Sequence, residues 1–110
     1  MVSQFDIIKI DLNPVKGIEK GKYRPCLIIS NNYINQYTGI IWVMPITSRN
    51  KRYPSDIEVK TKLGNISGII DTVQIQSLDI QYRNYRVVDH LHENLKHQIL
   101  ETIEAHTEPI

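Results

Sequence analysis

Residues 5–12 read Phe-Asp-Ile-Ile-Lys-Ile-Asp-Leu, and Ile8, Ile10 and Leu12 alternate with Lys9 and Asp11. A two-residue period of this kind predicts a strand with one buried face. Asn13-Pro14 ends it, and a polar loop follows from Val15 to Tyr23, with Gly17 and Gly21 as conformationally permissive points. Cys26-Leu27-Ile28-Ile29-Ser30 is continuously apolar until its last residue, the pattern of a central strand covered on both faces, and Asn31-Asn32 breaks it. Ile40–Ile46 makes a third strand, in which Pro45 forces an edge, a bulge or an end. Shorter strands are expected over 57–60 and 66–70, and Val73–Leu78 alternates again. Only the C-terminal part changes period. Leu91, Leu95, Ile99 and Ile103 are spaced by four, with Leu100 beside them, predicting one amphipathic helix over about residues 92–105. Leu91 is placed to staple its start. Short strands followed by a single helix predict a mainly β, antiparallel barrel with a helix packed on it.

The chain has 110 residues, 41% of them hydrophobic, which suits one domain with a modest core. No internal repeat or low-complexity tract divides it, so residues 1–110 are read as a single domain. No run approaches the roughly 20 apolar residues of a spanning helix. Met1–Asp6 lacks the basic and apolar regions of a signal peptide, so a soluble, unexported, cytoplasmic protein is expected. Cys26 is the one cysteine and is read as a small buried hydrophobe. Net charge is only +1, yet residues 1–62 carry ten Lys/Arg against five Asp/Glu, and residues 63–110 carry three against seven. A basic half of this sort is suited to a polyanion.

Several chemistries are excluded. His90, His92, His97 and His106 fall in or near the C-terminal helix, and the five-residue spacing of His92 and His97 puts them on different faces. There is no His-Glu-x-x-His, no phosphate-cradling Gly-rich loop and no Gly-x-Ser-x-Gly. What remains is an arginine at a strand entrance and a hydroxyl pair at a strand end. Pro25 fixes its own φ and biases Arg24 towards an extended conformation, which holds Arg24 at the sheet edge at the foot of the 15–23 loop. Pro45-Ile46-Thr47-Ser48 places two hydroxyls at the end of the third strand, where antiparallel neighbours could bring them near Arg24. A guanidinium offers a planar fork of donors to phosphate oxygens, a threonine hydroxyl can hold another, and Glu19 could serve as a base. RNA brings its own nucleophile, the 2′-OH. On spacing alone, Arg-Pro at a strand start and Thr-Ser after a strand are also ordinary structural features.

The pieces Phe5-Asp6-Ile7, Asp11-Leu12-Asn13-Pro14-Val15-Lys16-Gly17-Ile18-Glu19-Lys20-Gly21, Arg24-Pro25, Pro45-Ile46-Thr47-Ser48 and Gln74-Ile75-Gln76-Ser77-Leu78-Asp79 together resemble the MazF/PemK (Kid-like) toxin family, in order and spacing, over about residues 4–104. The resemblance implies an SH3-like barrel with a C-terminal helix, working as a homodimer. It implies a sequence-specific endoribonuclease that cuts single-stranded RNA without a metal or other cofactor, leaving 2′,3′-cyclic phosphate and 5′-hydroxyl ends. It also implies a cognate MazE/PemI-like antitoxin, with DNA contacted only through that antitoxin and no membrane partner. The family's arginine before proline falls on Arg24, its threonine on Thr47 and its loop glutamate on Glu19. The sequence departs from the family at Ile18, Lys20, Val73 and Gln76, changes that alter which bases are read and rule out an acidic base at position 73.

Backbone contacts to single-stranded RNA come from basic side chains, and splayed bases stack on aromatic rings or pair with polar groups. Lys16, Lys20, Lys22, Arg49, Lys51 and Arg52 are the phosphate candidates, with Ser48 beside them. Tyr23, Tyr53 and Trp42 are candidate platforms, although Trp42 is mid-strand and is expected to pack in the core. Gln74, Gln76 and Ser77 are candidates for reading base edges. Two other readings use the same barrel. A gyrase-binding toxin like CcdB would act through its C-terminal end, but the present Glu104–Ile110 does not resemble that ending. A non-catalytic RNA- or antitoxin-binding barrel would retain the surface without the chemistry.

Overall fold

The computed structural model describes residues 1–12 and 23–110. Along the chain the elements are β1 (Asp6–Asp11), β2 (Tyr23–Ile28), α1 (Asn32–Thr38), β3 (Ile40–Thr47), β4 (Asp56–Glu58), β5 (Ile69–Asp71), β6 (Gln76–Asp79), a 3-10 turn (Ile80–Tyr82), β7 (Tyr85–His90) and α2 (Glu93–His106). Every strand pairing is antiparallel, in the order β4-β5-β3-β2-β1-β7, with β6 also joined to β3. The architecture is the expected one, mainly antiparallel β with a C-terminal helix.

The three central strands are covered on both sides, and each face has its own core. Successive side chains of a strand point to opposite faces, so Ile7, Leu27, Ile29, Met44 and Ile46 gather on one face with Ile57, Ile70, Leu91 and Ile99. Ile8, Ile10, Cys26, Ile28, Ile41 and Val43 gather on the other with Val2 and Leu78. Full enclosure of each Ile or Leu contributes about 1.5–3 kcal/mol. β1 is therefore buried more deeply than its alternation implies, because Ile7 and Ile8 enter different cores. Helix α2 supplies Ile99, with Leu95 and Ile103 partly buried beside it, and Leu91 is enclosed beneath its start.

Two elements depart from the sequence reading. Asn31-Asn32 ends the apolar run but also starts a helix: the Asn31 side chain caps it by accepting from Ile34 N at 2.9 Å. Gly39, at φ 70°, closes it with a left-handed cap whose N–H donates to the Asn35 carbonyl. Strand β7 was not legible, because as an end strand paired only with β1 it carries a largely exposed Tyr-Arg-Val-Val rather than an apolar alternation. The shorter strands sit at 56–58, 69–71 and 76–79, within a few residues of the expected positions.

The barrel expectation holds only loosely, because the sheet does not close. Its two ends meet at a seam of one isolated bridge, Thr61 to Leu91, flanked by Lys62 N to His90 O and His92 N to Lys60 O, both 2.8 Å. The seam is reinforced from inside by Asp89, a fully buried carboxylate that accepts from the backbone N–H groups of Leu63 and Asn65, both at 2.9 Å, and of His90 at 2.7 Å.

Candidate nucleic-acid interface

The β2–β3 ladder runs Ile28–Val43, Leu27–Met44, Cys26–Pro45 and then stops. Beyond that pair the strands part. β2 continues with β1 as far as Tyr23–Asp11, whereas β3 continues with β5 as far as Thr47–Ile69. Prolines stand at the parting on both sides. Pro25 and Pro45 have no N–H to give, so neither can extend a ladder there. This resolves Pro45 as the end of one pairing rather than a break in its own strand. Arg24 and Thr47 are each two residues past the last pair, so both fall on the face of Cys26 and Pro45, one on each prong of the fork. Both candidates thus stand beyond the last β2–β3 pair, on two strands that part there.

The prongs differ in chemistry. Arg24 and Tyr23 are exposed, and the Arg24 guanidinium makes no hydrogen bond or ion pair with any other described residue. Cys26, two residues further into the strand, is fully enclosed, and burial pushes its thiol up to about 12 against a small opposing pull from Arg24. It is the inert core residue the sequence suggests. Thr47 is half-buried and Ser48 exposed. Behind Thr47 lies Gly68, with φ +129°, whose carbonyl accepts from Val59 N at 2.9 Å. A Cβ on Gly68 would collide with the Thr47 carbonyl oxygen and stand 3.2 Å from its carbon. Sequence reasoning passed over Gly68, although a glycine immediately before a strand is a signal for close backbone approach.

In the loop after Ser48, one phosphate candidate already has carboxylate partners. Arg49 is committed inward: Nη1 donates to Asp56 Oδ2 at 2.5 Å and to the Asn50 carbonyl at 3.1 Å, and Nη2 donates to Asp56 Oδ1 at 2.8 Å and Asp71 Oδ2 at 3.4 Å. A planar fork matched to a carboxylate in this way has little left to offer a phosphate. Asp56 Oδ2 also accepts from the N–H groups of Arg52 and Tyr53, so one buried carboxylate shapes the whole 49–56 loop. The Arg49 hydrogen bonds hold the Asp56 carboxyl well below the usual carboxylate range, with those two N–H groups assisting and burial opposing. Lys51, Arg52 and Tyr53 are left exposed on the outside of that loop, with the Arg52 guanidinium 5.6 Å from the centre of the Tyr53 ring.

Other candidates divide by position. Gln74 is exposed and lines one cleft with Arg52, Tyr53, Ser55, Asp71 and Val73. Gln76 and Ser77 are exposed on β6, opposite Val43 and Trp42. That is the far end of β3, four and five residues from Thr47, or about 14–17 Å along a strand, so they do not join the fork. Trp42 is 50% exposed rather than buried. It lines an apolar groove with Ile29, Ile34, Leu100 and Ile103. Glu19, Lys16, Lys20 and Lys22 lie outside the described residues. Among the described residues no group of three or more His, Cys, Asp or Glu side chains is placed to hold a metal ion, and no helix is long and apolar enough to cross a membrane.

A family profile described as PemK-like, MazF-like toxin of type II toxin-antitoxin system matches residues 3–107. Among solved structures, MazF from Deinococcus radiodurans is 24% identical, with a TM-score of 0.78 and 94% of each chain covered. A MazE–MazF structure from the same organism is 25% identical, with a TM-score of 0.82 over 94% of this chain and 93% of the other. An endoribonuclease in complex with its cognate antitoxin, from a mycobacterial species, is 16% identical, with a TM-score of 0.74 over 99% and 96%.

Proposed function

This chain belongs to the PemK-like, MazF-like toxin family of type II toxin–antitoxin systems, and we propose that it acts there as a sequence-specific, metal-independent endoribonuclease on single-stranded RNA. The observation that carries the proposal is the fork: an exposed guanidinium with no hydrogen-bond or ion-pair partner among the described residues on one prong, and a hydroxyl on the other, on the same face of two strands that have just separated. Arg49, by contrast, is already engaged by two carboxylate partners.

In this mechanism the ribose 2′-OH attacks the adjacent phosphorus while the bond from phosphorus to the 5′-oxygen breaks. Arg24 donates to the non-bridging oxygens, where negative charge grows in the transition state, and the Thr47 hydroxyl holds a second oxygen in line. Glu19 takes the 2′-OH proton, and the departing 5′-oxygen takes a proton from solvent water. The products are a 2′,3′-cyclic phosphate and a 5′-hydroxyl. One preorganised donor to developing charge accounts for about 10²–10³ in rate. Lys51, Arg52 and Ser48 contact the backbone, and Tyr53 with Gln74 reads a neighbouring base; Lys16, Lys20 and Lys22 extend the basic path.

The partner is a MazE/PemI-like antitoxin, a reading supported by neighbours solved as toxin–antitoxin complexes. Residues 1–110 form one toxin domain that works as a cytoplasmic homodimer. DNA is reached only through the antitoxin, and no cofactor takes part.

The test is end mapping of a mixed RNA pool after incubation with purified protein in EDTA. Wild type is expected to give discrete 5′-hydroxyl ends at one short motif, and folded Arg24→Ala to give none. Activity that survives Arg24→Ala, or that chelator removes, would refute the mechanism. Tight RNA binding with no new ends would favour the non-catalytic reading.

A further inference from the structure

Thr47 occupies an unusual place for a residue asked to hold a phosphate oxygen. It is the last residue of β3, its neighbour on the β2 side has already departed, and only β5 still pairs with it, through Ile69. A strand end held from one side is free to rise or sink relative to the sheet unless something fixes its height. Gly68, the residue immediately before β5, is in contact with it. A Cβ at position 68 would overlap the Thr47 carbonyl oxygen, and would stand 3.2 Å from the carbonyl carbon and 3.4 Å from Ile46 Cγ2. Gly68 is itself fixed from the opposite side, since its carbonyl accepts from Val59 N beyond the end of β4. Its φ of +129° lies where L-residues other than glycine are strained.

We infer that Gly68 is a positioning residue for Thr47: the bare Cα lets the 68–69 backbone pack against the Thr47 carbonyl and so sets where the Thr47 hydroxyl stands at the fork. The inference rests on the reading of Thr47 as a phosphate-holding group. Gly64 serves as a control, because it also has positive φ, +72°, but a Cβ there would meet nothing within 4 Å.

The experiment is a mutant cycle on the full chain, with single-turnover scission and binding of an uncleavable RNA (2′-deoxy at the scissile nucleotide) measured for each protein below its own melting temperature. Gly68→Ala is expected to lower the scission rate about 100-fold, the scale of an ångström-sized misplacement, while binding changes less than threefold. In a Thr47→Val background the same substitution is expected to change scission less than threefold, because the group it acts through is gone. Gly64→Ala should leave both rates alone. A semisynthetic chain with D-alanine at 68, which accepts positive φ and carries its methyl on the other side of Cα, should stay folded and cleave at the wild-type rate. This chain is the comparison that decides if Gly68→Ala does not fold. Additive losses from Gly68→Ala and Thr47→Val, or a D-alanine chain that folds but does not cleave, would overturn the inference and leave the reading of Thr47 standing. Unchanged scission in Thr47→Val alone would overturn both.

Discussion

Asp89→Asn and Asp89→Ala probe the seam where the open sheet meets itself. Asp89 is wholly enclosed and accepts three backbone N–H groups, two of them from the 63–65 loop at the other end of the sheet. A hydrogen bond to an ionised group contributes about 1.5–3 kcal/mol. Three that share one carboxylate do not add fully, so Asp89→Ala should cost about 3–5 kcal/mol. Against the ~5–15 kcal/mol that holds a domain of this size together, that is a large fraction, and it corresponds to a melting temperature lower by about 15–25 °C. Asp89→Asn keeps the shape and one acceptor oxygen and should cost roughly half as much. The charge has a pH signature as well. Burial raises the Asp89 pKa, but hydrogen bonds from Thr61, Leu63, His90 and Asn65 outweigh it, so the folded value lies below the ordinary 3.8. A depressed carboxyl contributes stability that is fully present above the unfolded value and disappears as pH falls through it towards the folded value. The gap between wild type and Asp89→Asn in urea midpoints should therefore be constant from about pH 5 to 8 and narrow below about pH 4. Asp56 weakens in the same acid range in both proteins, so the difference isolates Asp89. A loss below about 1 kcal/mol for Asp89→Ala, or a gap that widens in acid, would show that the carboxylate does not hold the seam.

Three further outcomes are expected. Lys51→Ala and Arg52→Ala should each reduce the slope of RNA affinity against salt by about 0.7, the value for one phosphate contact on a single strand, whereas Arg49→Ala should leave the slope alone and lower stability instead, since its charge is already spent on Asp56 and Asp71. Cys26 should resist a disulfide-exchange reagent at pH 8 in the folded protein and react at once in denaturant, because burial both excludes the reagent and raises the thiol to about 12. Ile99→Ala should cost about 2–5 kcal/mol in urea titrations, because Ile99 is the one residue of α2 that is wholly buried.

Much of this architecture was readable from residues, and the gaps have physical causes. The continuous Cys26–Ile29 run and the four-residue spacing from Leu91 to Ile103 carry strong periodic signals, and both became what their periods imply. α1 was hidden because Asn31-Asn32 serves as a cap, and caps and turns draw on the same residues. β7 was hidden because an end strand need not alternate. At the candidate site, Arg24 and Thr47 are singled out by their prolines and the family resemblance. The commitment of Arg49 could not be found that way, because it depends on Asp56 and Asp71, which lie seven and 22 residues away and meet it only once β4 and β5 pair. Trp42 is half exposed because a mid-strand position does not by itself dictate that both faces are covered.

The parting of β2 from β3 after Cys26–Pro45 has a bearing on how such a protein can diversify. Each prong is braced by a different neighbour, β1 on one side and β5 on the other. A change of length or composition in the 49–55 segment therefore bears on the Thr47 limb rather than on the Arg24 limb. In the proposed ribonuclease, drift in which nucleotides are recognised can accumulate on either limb while the crotch between them, two imino acids with no N–H to donate, keeps its spacing.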